Sequence, residues 1–269
     1  MSKIVKIHCE GKKGSHDYDI LYQTLPIAVM IEPIGSVRGA AAIIQYKESN
    51  VVKSDFQLLF RDRDFDRAIP ESCILESDGK YAYFSYRNTI ENYLFDSSLF
   101  YEFIRKYNLS TKYSIYTETD VRDKFIQAAR KIRYYQAIRH TLGAMRKPTD
   151  FGTKIHDKSS GVLPFSLEEE YCRTEALQRI FEKKEVVSQW TEDVFDEILN
   201  NFLTKFNDDF INDLKFLVYF QGKDFAASLK SILHDFPLEN YYKFAKSNFD
   251  YTKHPDLQQL RQIIETQLV

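Results

Sequence analysis

Cysteine and glycine are scarce in this chain of 269 residues, and long apolar runs are lacking. The three cysteines, Cys9, Cys73 and Cys172, lie far apart, which excludes both a disulfide framework and a Cys-x-x-Cys metal site. No apolar run approaches the roughly 20 residues that span a membrane, and the first residues lack the pattern of a signal peptide. We therefore expect a cytoplasmic protein that makes no membrane contact.

Charge of either sign is in little excess, since the formal net charge is −2. Overall basicity therefore does not indicate a nucleic-acid partner, and any such surface must come from local segregation of charge. Aromatic residues are abundant, with 21 phenylalanines and 18 tyrosines. This composition favours a densely packed, helix-rich protein.

The first part of the chain alternates between strand and helix patterns. Short runs rich in β-branched and aromatic residues predict strands over residues 3–9, 28–34, 56–60 and 81–85. Helices are predicted up to about residue 25, capped by Ser15 or Asp17, and over residues 37–46. Nearly continuous apolar strands separated by helices indicate a parallel sheet covered on both faces.

From about residue 97 onward, one helical pattern follows another. Three-four spacing of apolar residues predicts a long helix over residues 121–145. Further helices are predicted over residues 166–184, 191–220, 223–234, 238–248 and 255–268, with a loop over 147–164. We expect an α/β domain with a Rossmann-type parallel sheet over residues 1–96, followed by an all-helical domain over residues 97–269.

Acidic residues follow three of the predicted strands. They are Glu10 after the first strand, Asp62, Asp64 and Asp66 after the third, and Glu91 beyond the fourth. Functional groups collect at the carboxyl ends of parallel strands, and converging carboxylates repel one another unless a cation lies among them. All-oxygen ligands suit Mg²⁺ or Mn²⁺, and one or two such ions can cleave phosphodiesters.

Other interpretations of the acidic residues were weighed. Asp62 and Asp64 can share a metal if they alternate along an extended chain, but they can also be turn residues paired with Arg61 and Arg63 at the surface. A haloacid-dehalogenase-type phosphatase has Asp-x-Asp after its first strand. A phosphorelay receiver needs an acidic pair there, whereas Glu10 is followed by Gly-Lys-Lys. Both fit the sequence less well.

A basic segment offers the best candidate for contact with nucleic acid. Between residues 122 and 147 there are eight Lys or Arg residues and one acid. The candidate contacts are Arg130, Lys131, Arg133, Arg139, Arg146 and Lys147. Tyr134 and His140 could stack on unpaired bases, whereas Tyr135 belongs to the apolar stripe. The competing interpretation is that some of these cations pair with acids of the helical domain.

Several short motifs resemble the OLD-like group of TOPRIM nucleases. They are residues 7–11 (IHCEG), 59–66 (LFRDRDFD) and 88–94 (NTIENYL), within a resemblance that covers about residues 3–100. Residues 220–224 (FQGKD) resemble the C-terminal Gly-Lys signature of that group. The group includes effector nucleases of anti-phage defence systems.

The resemblance implies a role for each motif residue. Glu10 would act as a metal ligand or proton-transfer group, and Asp62 and Asp64 would bind the principal Mg²⁺. Asp66 and Glu91 would support a second ion, and Lys223 would stabilise charge on the scissile phosphate. The sequence departs from the group in one respect, because the acid expected soon after Glu-Gly is replaced by Asp17 or Asp19 further along the chain.

The resemblance also implies a biological role. The chain would be a toxic nuclease acting on RNA such as tRNA, or on DNA, restrained by an ABC-type ATPase partner and dimeric when active. One alternative is a catalytically inactive TOPRIM-like module that docks the ATPase. Another is a primase-like polymerising enzyme, but the sequence contains no recognisable nucleotide-triphosphate motif.

Overall fold

The computed structural model describes residues 4–35, 56–65, 67–79, 82–107, 111–145, 152–158, 161–182 and 191–268. The helix predicted over residues 37–46 and the site residues Asp66, Arg146 and Lys147 lie outside the described residues. The chain divides into two compact units. The sheet unit contains Met1–Arg63, Ile69–Leu94 and Tyr242–Val269, and the helical unit contains Asp64–Ala68 and Phe95–Tyr241.

The sheet unit is built on a five-stranded, mostly parallel sheet. Its strands are β1 (Val5–Cys9), β2 (Met30–Pro33), β3 (Phe56–Arg61), β4 (Glu76–Ser77) and β5 (Ala82–Phe84), in the order β2-β1-β3-β5-β4. All neighbouring pairs are parallel except β4 with β5. The predicted parallel α/β sheet is therefore confirmed, with β1 and β3 at its centre. The two-residue β4 was not predicted, because it is too short to show a period-two pattern.

The sheet unit also contains helices from both ends of the chain. They are α1 (His16–Thr24), a 3₁₀ helix (Ile90–Leu94), a second 3₁₀ helix (Tyr251–Lys253) and the C-terminal Pro255–Leu268. Ser15 caps α1, since its hydroxyl accepts the backbone N–H of Tyr18 at 3.4 Å. The predicted cap at Ser15 is thus confirmed. Capping by a hydroxyl satisfies one of the N–H groups that a helix start leaves open.

The C-terminal helix lies against β1 and α1. Its first turn is attached by Asp256, a fully buried residue whose carboxylate accepts the Tyr86 N–H at 2.9 Å and the Tyr93 hydroxyl. Further along the C-terminal helix, the Arg261 guanidinium donates to the carbonyl of Thr24, the last residue of α1, at 2.9 Å. The boundary expected between residues 96 and 97 therefore does not match the division into compact units. An amphipathic helix packs by its apolar stripe, whatever its place in the chain.

The helical unit is organised around its longest helix. Its helices are α2 (Ser97–Tyr107), α3 (Thr111–Ser114), α4 (Glu118–Met145), α5 (Glu169–Phe181), α6 (Glu192–Lys205), α7 (Asp208–Asn212), α8 (Phe216–Tyr219) and α9 (Gly222–Ile232). Helix α4 contacts α2, α5, α6, α7 and α9, and much of its surface is buried. The next helix, α10 (Leu238–Ser247), runs from this unit into the sheet unit. No described helix has the length and apolar character needed to cross a membrane.

The single helix predicted over residues 191–220 is wrong, because α6, α7 and α8 replace it. The Asn207 side chain accepts the Phe210 N–H at 2.9 Å and so begins a new helix. Leu214 then has a φ of 58°, in the left-handed region that no α-helix continues through. Asn side chains compete for backbone N–H groups in this way, so the apolar periodicity alone concealed the break.

Aromatic side chains fill the core of the helical unit. Phe100 stacks on Phe236 with ring centroids 4.3 Å apart, and Phe95 meets Phe225 edge-to-face at 4.9 Å. Each such pair adds about 0.5–1.5 kcal/mol beyond the burial of its area. This cluster accounts for the high phenylalanine content of the sequence.

Candidate functional site

The register of β1 and β3 brings two distant acidic residues to the same edge of the sheet. Cys9 is paired with Phe60, so Glu10 follows beside Arg61, and Asp62 comes one residue later. Neighbouring strands are roughly 4.8 Å apart. The guanidinium of Arg61 lies 3.8 Å from Glu10, measured from Nε to Oε1. The carboxylates of Glu10 and Asp62 therefore leave the sheet from adjacent strand ends.

Asp17 lies against the turn that follows Glu10. Gly11 has a φ of +85°, and a Cβ placed on it would lie 2.6 Å from the Ser15 hydroxyl and 3.3 Å from Oδ2 of Asp17. Asp19 is engaged elsewhere, since its Oδ2 lies 2.6 Å from Nζ of Lys246. Of the two acids that the sequence offered as a further ligand, Asp17 is therefore the one beside the Glu10–Gly11 turn.

The thiol of Cys9 reports the negative charge at this edge. The pKa of Cys9 is raised to about 12, mainly by burial and in addition by the carboxylates of Asp17 and Glu10. Both carboxylates are thus close enough to the end of β1 to act on the same group. Clustered carboxylates of this kind favour a bound cation.

The two arginines near Asp62 do not play the same part. Arg63 is fully buried, where its Nε donates to the Ser85 carbonyl at 3.0 Å and its Nη1 pairs with Glu76. It therefore cannot pair with Asp62 or Asp64 at the surface, as the alternative interpretation of these residues requires. Arg61, beside Glu10, also lies over the Phe84 ring at 5.4 Å from its centroid.

Asp64 belongs to the helical unit rather than to the sheet unit. Strand β3 ends at Arg61, and Asp64 has a φ of 48° in a turn. The argument that Asp62 and Asp64 alternate along an extended chain is therefore wrong, although a metal-binding role for Asp64 stays a prediction. Phe65 attaches this turn to α4, where a Cβ on Gly143 would lie only 2.7 Å from the Phe65 carbonyl oxygen.

Glu91 is buried in the first 3₁₀ helix, which contacts α1. Hydrogen bonds hold the surrounding segment, including one from the Thr89 hydroxyl to Oδ1 of Asn92 at 2.7 Å and one from Arg87 to the Asn92 carbonyl. Glu91 thus occupies a fixed helix next to the one that begins with His16 and Asp17. Its role as a ligand of a second ion stays a prediction.

Arg139 departs from its predicted role as a nucleic-acid contact. Its side chain is only 5% exposed and pairs with Asp224, with a second hydrogen bond to Thr153 at 3.2 Å. The same carboxylate accepts the amide of Gln136 at 2.9 Å. Arg139 is therefore a structural cation of the helical unit, and a buried group cannot reach a phosphate backbone.

Other predicted nucleic-acid contacts remain on the surface of α4. Arg130 and Arg133 lie 3.6 and 4.0 Å from Oδ1 of Asp208, and Lys131 donates to the Ser231 hydroxyl at 2.7 Å. The expectation that some of these cations pair with acids is confirmed for both arginines. His140, however, is buried and hydrogen-bonded to the Tyr219 carbonyl at 2.9 Å, so it cannot stack on a nucleotide.

Lys223 is exposed in the first turn of α9. The side chain of Gln221 caps this helix by accepting the Asp224 N–H at 2.8 Å, and Gln136 accepts the Gln221 N–H at 2.9 Å. The polar network around Asp224 was missed in the sequence. The available signal was the pair Gln136 and Arg139, one turn apart within the apolar stripe of α4.

The donor atoms at the sheet edge have the chemistry of a magnesium site. Glu10, Asp17 and Asp62 offer only carboxylate oxygens, which Mg²⁺ and Mn²⁺ prefer over the nitrogen and sulfur ligands typical of zinc. Within the described part of the chain, no three His, Cys, Asp or Glu side chains already form a group that could hold a metal ion. Mg²⁺ is usually bound through one or two carboxylates, with water and substrate oxygens as its remaining ligands.

Comparison of the chain with models of known protein families and with curated protein sequences gave no match.

Proposed function

We propose that the chain is a Mg²⁺-dependent nuclease with a TOPRIM-like sheet unit, cleaving phosphodiester bonds of RNA such as tRNA, or of DNA. The main support is the parallel pairing of β1 and β3, which brings Glu10 beside Arg61, one residue before Asp62, at the ends of neighbouring strands. Asp17 adds a third carboxylate from α1 beside Gly11. In this proposal, three separate segments of one compact unit would supply the oxygen ligands.

Each residue at this edge has a distinct part in the proposed reaction. Glu10, Asp17 and Asp62 would hold the ion. A bound divalent ion neutralises charge on the phosphate oxygens and lowers the pKa of a coordinated water. Arg61 would orient the Glu10 carboxylate through their 3.8 Å contact.

The match to the TOPRIM motifs leads us to propose four further participants, namely Asp64, Asp66, Glu91 and Lys223. Asp64 would complete the first site, and Asp66 and Glu91 would serve a second ion. Lys223, exposed at the start of α9, would stabilise charge on the scissile phosphate. The wider role, as a toxic anti-phage effector that is restrained by an ABC-type ATPase and dimeric when active, is proposed from the same resemblance.

A cleavage assay tests the proposal. Purified chain is incubated with tRNA or plasmid DNA in Mg²⁺, Mn²⁺ or EDTA, and Glu10→Gln is compared with Glu71→Gln, which changes an exposed glutamate of the same unit. We expect cleavage in either metal, none in EDTA, and a loss of at least about 100-fold for Glu10→Gln alone. Undiminished cleavage by Glu10→Gln would refute the assignment of the site.

One contact favours a second candidate function. Because Arg61 lies beside Glu10, the two can act as a structural ion pair in a catalytically inactive module that docks the partner ATPase. Such a module would show no Mg²⁺ binding. Its association with the ATPase would also be unaffected by Asp62→Asn, whereas the nuclease proposal requires that this variant lose cleavage.

A further inference from the structure

An exposed tyrosine, Tyr22, and a half-buried one, Tyr18, form an aromatic surface on α1. Tyr18 and Tyr22 are one helical turn apart, about 6 Å along the axis, and their rings are nearly parallel at 12° with centroids 6.4 Å apart. Tyr22 is 65% exposed, whereas Ile20 and Leu21 of the same helix are fully buried. The aromatic pair therefore does not belong to the core of the sheet unit.

A basic groove borders this aromatic pair. Tyr22 lines it together with side chains of α1 and α10, namely Asp19, Gln23, Lys243, Lys246 and Ser247. Lys246 pairs with Asp19, and its carbonyl accepts the Gln23 amide at 2.7 Å, so the groove wall is fixed. Since Lys246 offsets the charge of Asp19, the exposed Lys243 leaves the groove with net positive charge.

The aromatic pair is also continuous with the carboxylate edge. Tyr18 directly follows Asp17, and the exposed Lys12 and Lys13 precede α1 in the turn after Glu10. A nucleic-acid strand with a phosphate at the carboxylates could therefore continue along α1 and reach the tyrosines within a few residues of the helix. Tyr22 lies about 7.5 Å further along the helix axis than Asp17.

We propose that Tyr18, Tyr22 and Lys243 form a binding surface for unpaired nucleotides of single-stranded nucleic acid. This proposal deepens the proposed nuclease function and rests on it for the nature of the ligand. An exposed tyrosine face stacks on a base only where the base is outside a duplex, and a neighbouring lysine compensates the backbone charge. The surface thus selects single strands or loops and does not read their sequence.

The test measures binding without cleavage. Fluorescein-labelled oligothymidylate and its duplex with oligodeoxyadenylate are titrated with the chain in EDTA, with fluorescence anisotropy as the readout. The variants are Tyr22→Ser, Tyr22→Phe and Lys243→Gln, with Tyr107→Ser as the matched control because Tyr107 is an exposed tyrosine on α2. Exposure of Tyr22 makes loss of folding by its substitution a small concern.

We expect Tyr22→Ser to weaken binding of the single strand roughly tenfold, while Tyr22→Phe and Tyr107→Ser leave it unchanged. Lys243→Gln should reduce the slope of log affinity against log salt concentration by the amount expected for about one phosphate contact. Equal affinity of the wild type and Tyr22→Ser for the single strand overturns the proposal, as does a preference for the duplex. The two proposals can fail separately, because binding is measured in EDTA and needs no metal. Tyrosine-dependent binding without Mg²⁺-dependent cleavage would refute only the nuclease. Mg²⁺-dependent cleavage without tyrosine-dependent binding would refute only this surface.

Discussion

Arg61 ends β3 and Glu10 directly follows the neighbouring parallel strand β1, with Nε of the arginine 3.8 Å from Oε1 of the glutamate. The positively charged guanidinium therefore lies close enough to repel a divalent ion bound by Glu10. A cation so placed orients the carboxylate but also opposes a second cation. The strength of metal binding should accordingly respond to Arg61.

Arg61→Gln should tighten Mg²⁺ binding. Removal of one positive charge near a divalent ion in a partly exposed site is worth about 1 kcal/mol, or roughly fivefold in Kd. Titration calorimetry with Mg²⁺ measures the change, and Arg67→Gln, at an arginine of the helical unit, is the control. An unchanged or weakened affinity would show that Arg61 does not act on the ion.

The turn after Glu10 should tolerate no side chain at Gly11. Gly11 and Gly14 have nearly the same φ, +85° and +84°, but only at Gly11 would a Cβ clash, at 2.6 Å from the Ser15 hydroxyl. Both Ala variants share the cost of a left-handed residue, about 1–2 kcal/mol. We expect Gly11→Ala to destabilise the protein more than Gly14→Ala and to weaken Mg²⁺ binding, as measured by urea unfolding and calorimetry. Equal effects of the two variants would contradict the close approach.

The buried pair of Arg139 and Asp224 should be essential to stability. Arg139→Met leaves the Asp224 charge buried, at a cost of about 3–5 kcal/mol in the free energy of unfolding. Arg133→Met, at an exposed arginine 4.0 Å from Asp208, should cost less than about 1 kcal/mol. Urea denaturation of the two variants gives the comparison. The double variant Arg139→Met/Asp224→Leu should regain part of the loss, because it removes the unpaired charge as well.

A buried histidine, His140, and a half-buried one, His254, should make stability depend on pH. Burial lowers the pKa of His140 to about 3, aided by Arg139 and Lys205, and burial lowers that of His254 to about 3, aided by Arg87. In the unfolded chain both titrate near 6.5. Between these values the unfolded state binds more protons, so stability is present above pH 6.5 and is lost as the pH falls.

The loss should approach about 1.4 kcal/mol per pH unit for each histidine below pH 6.5. Urea unfolding between pH 7 and 5 measures it, since this range lies above the titration of most carboxylates. In His140→Gln the slope should be smaller by the contribution of one histidine, whatever the absolute stability of the variant. A slope that is the same in both proteins would mean that His140 does not remain neutral in the folded state.

The central part of the fold could be predicted because local signals and burial agree there. The apolar runs of β1 and β3 and the cap at Ser15 are short-range features, and each was predicted within two residues. The neighbouring positions of these strands then follow from the usual order of doubly wound sheets. The placement of Glu10 and Asp62 after neighbouring strands was therefore predicted correctly, whereas their metal-binding role stays a prediction.

The features that were missed depend on contacts between distant residues. Arg139 looks like a surface cation until Asp224, 85 residues away, is seen beside it. The helix that begins at Pro255 joins the sheet unit through Asp256 and Tyr93, which lie 163 residues apart. The left-handed residue Asp64 was equally hidden, because the sequence Asp-Arg-Asp suits an extended chain and a turn alike.

Calorimetric titration of Mg²⁺ into the wild type, Glu10→Gln, Asp62→Asn and the control Glu71→Gln tests most directly whether the carboxylates at the ends of β1 and β3 hold a shared ion. The account predicts saturable binding by the wild type and Glu71→Gln, and a loss of affinity of at least about tenfold in each of the other two variants. If Glu10→Gln or Asp62→Asn bound Mg²⁺ as tightly as the wild type, the shared site would be contradicted.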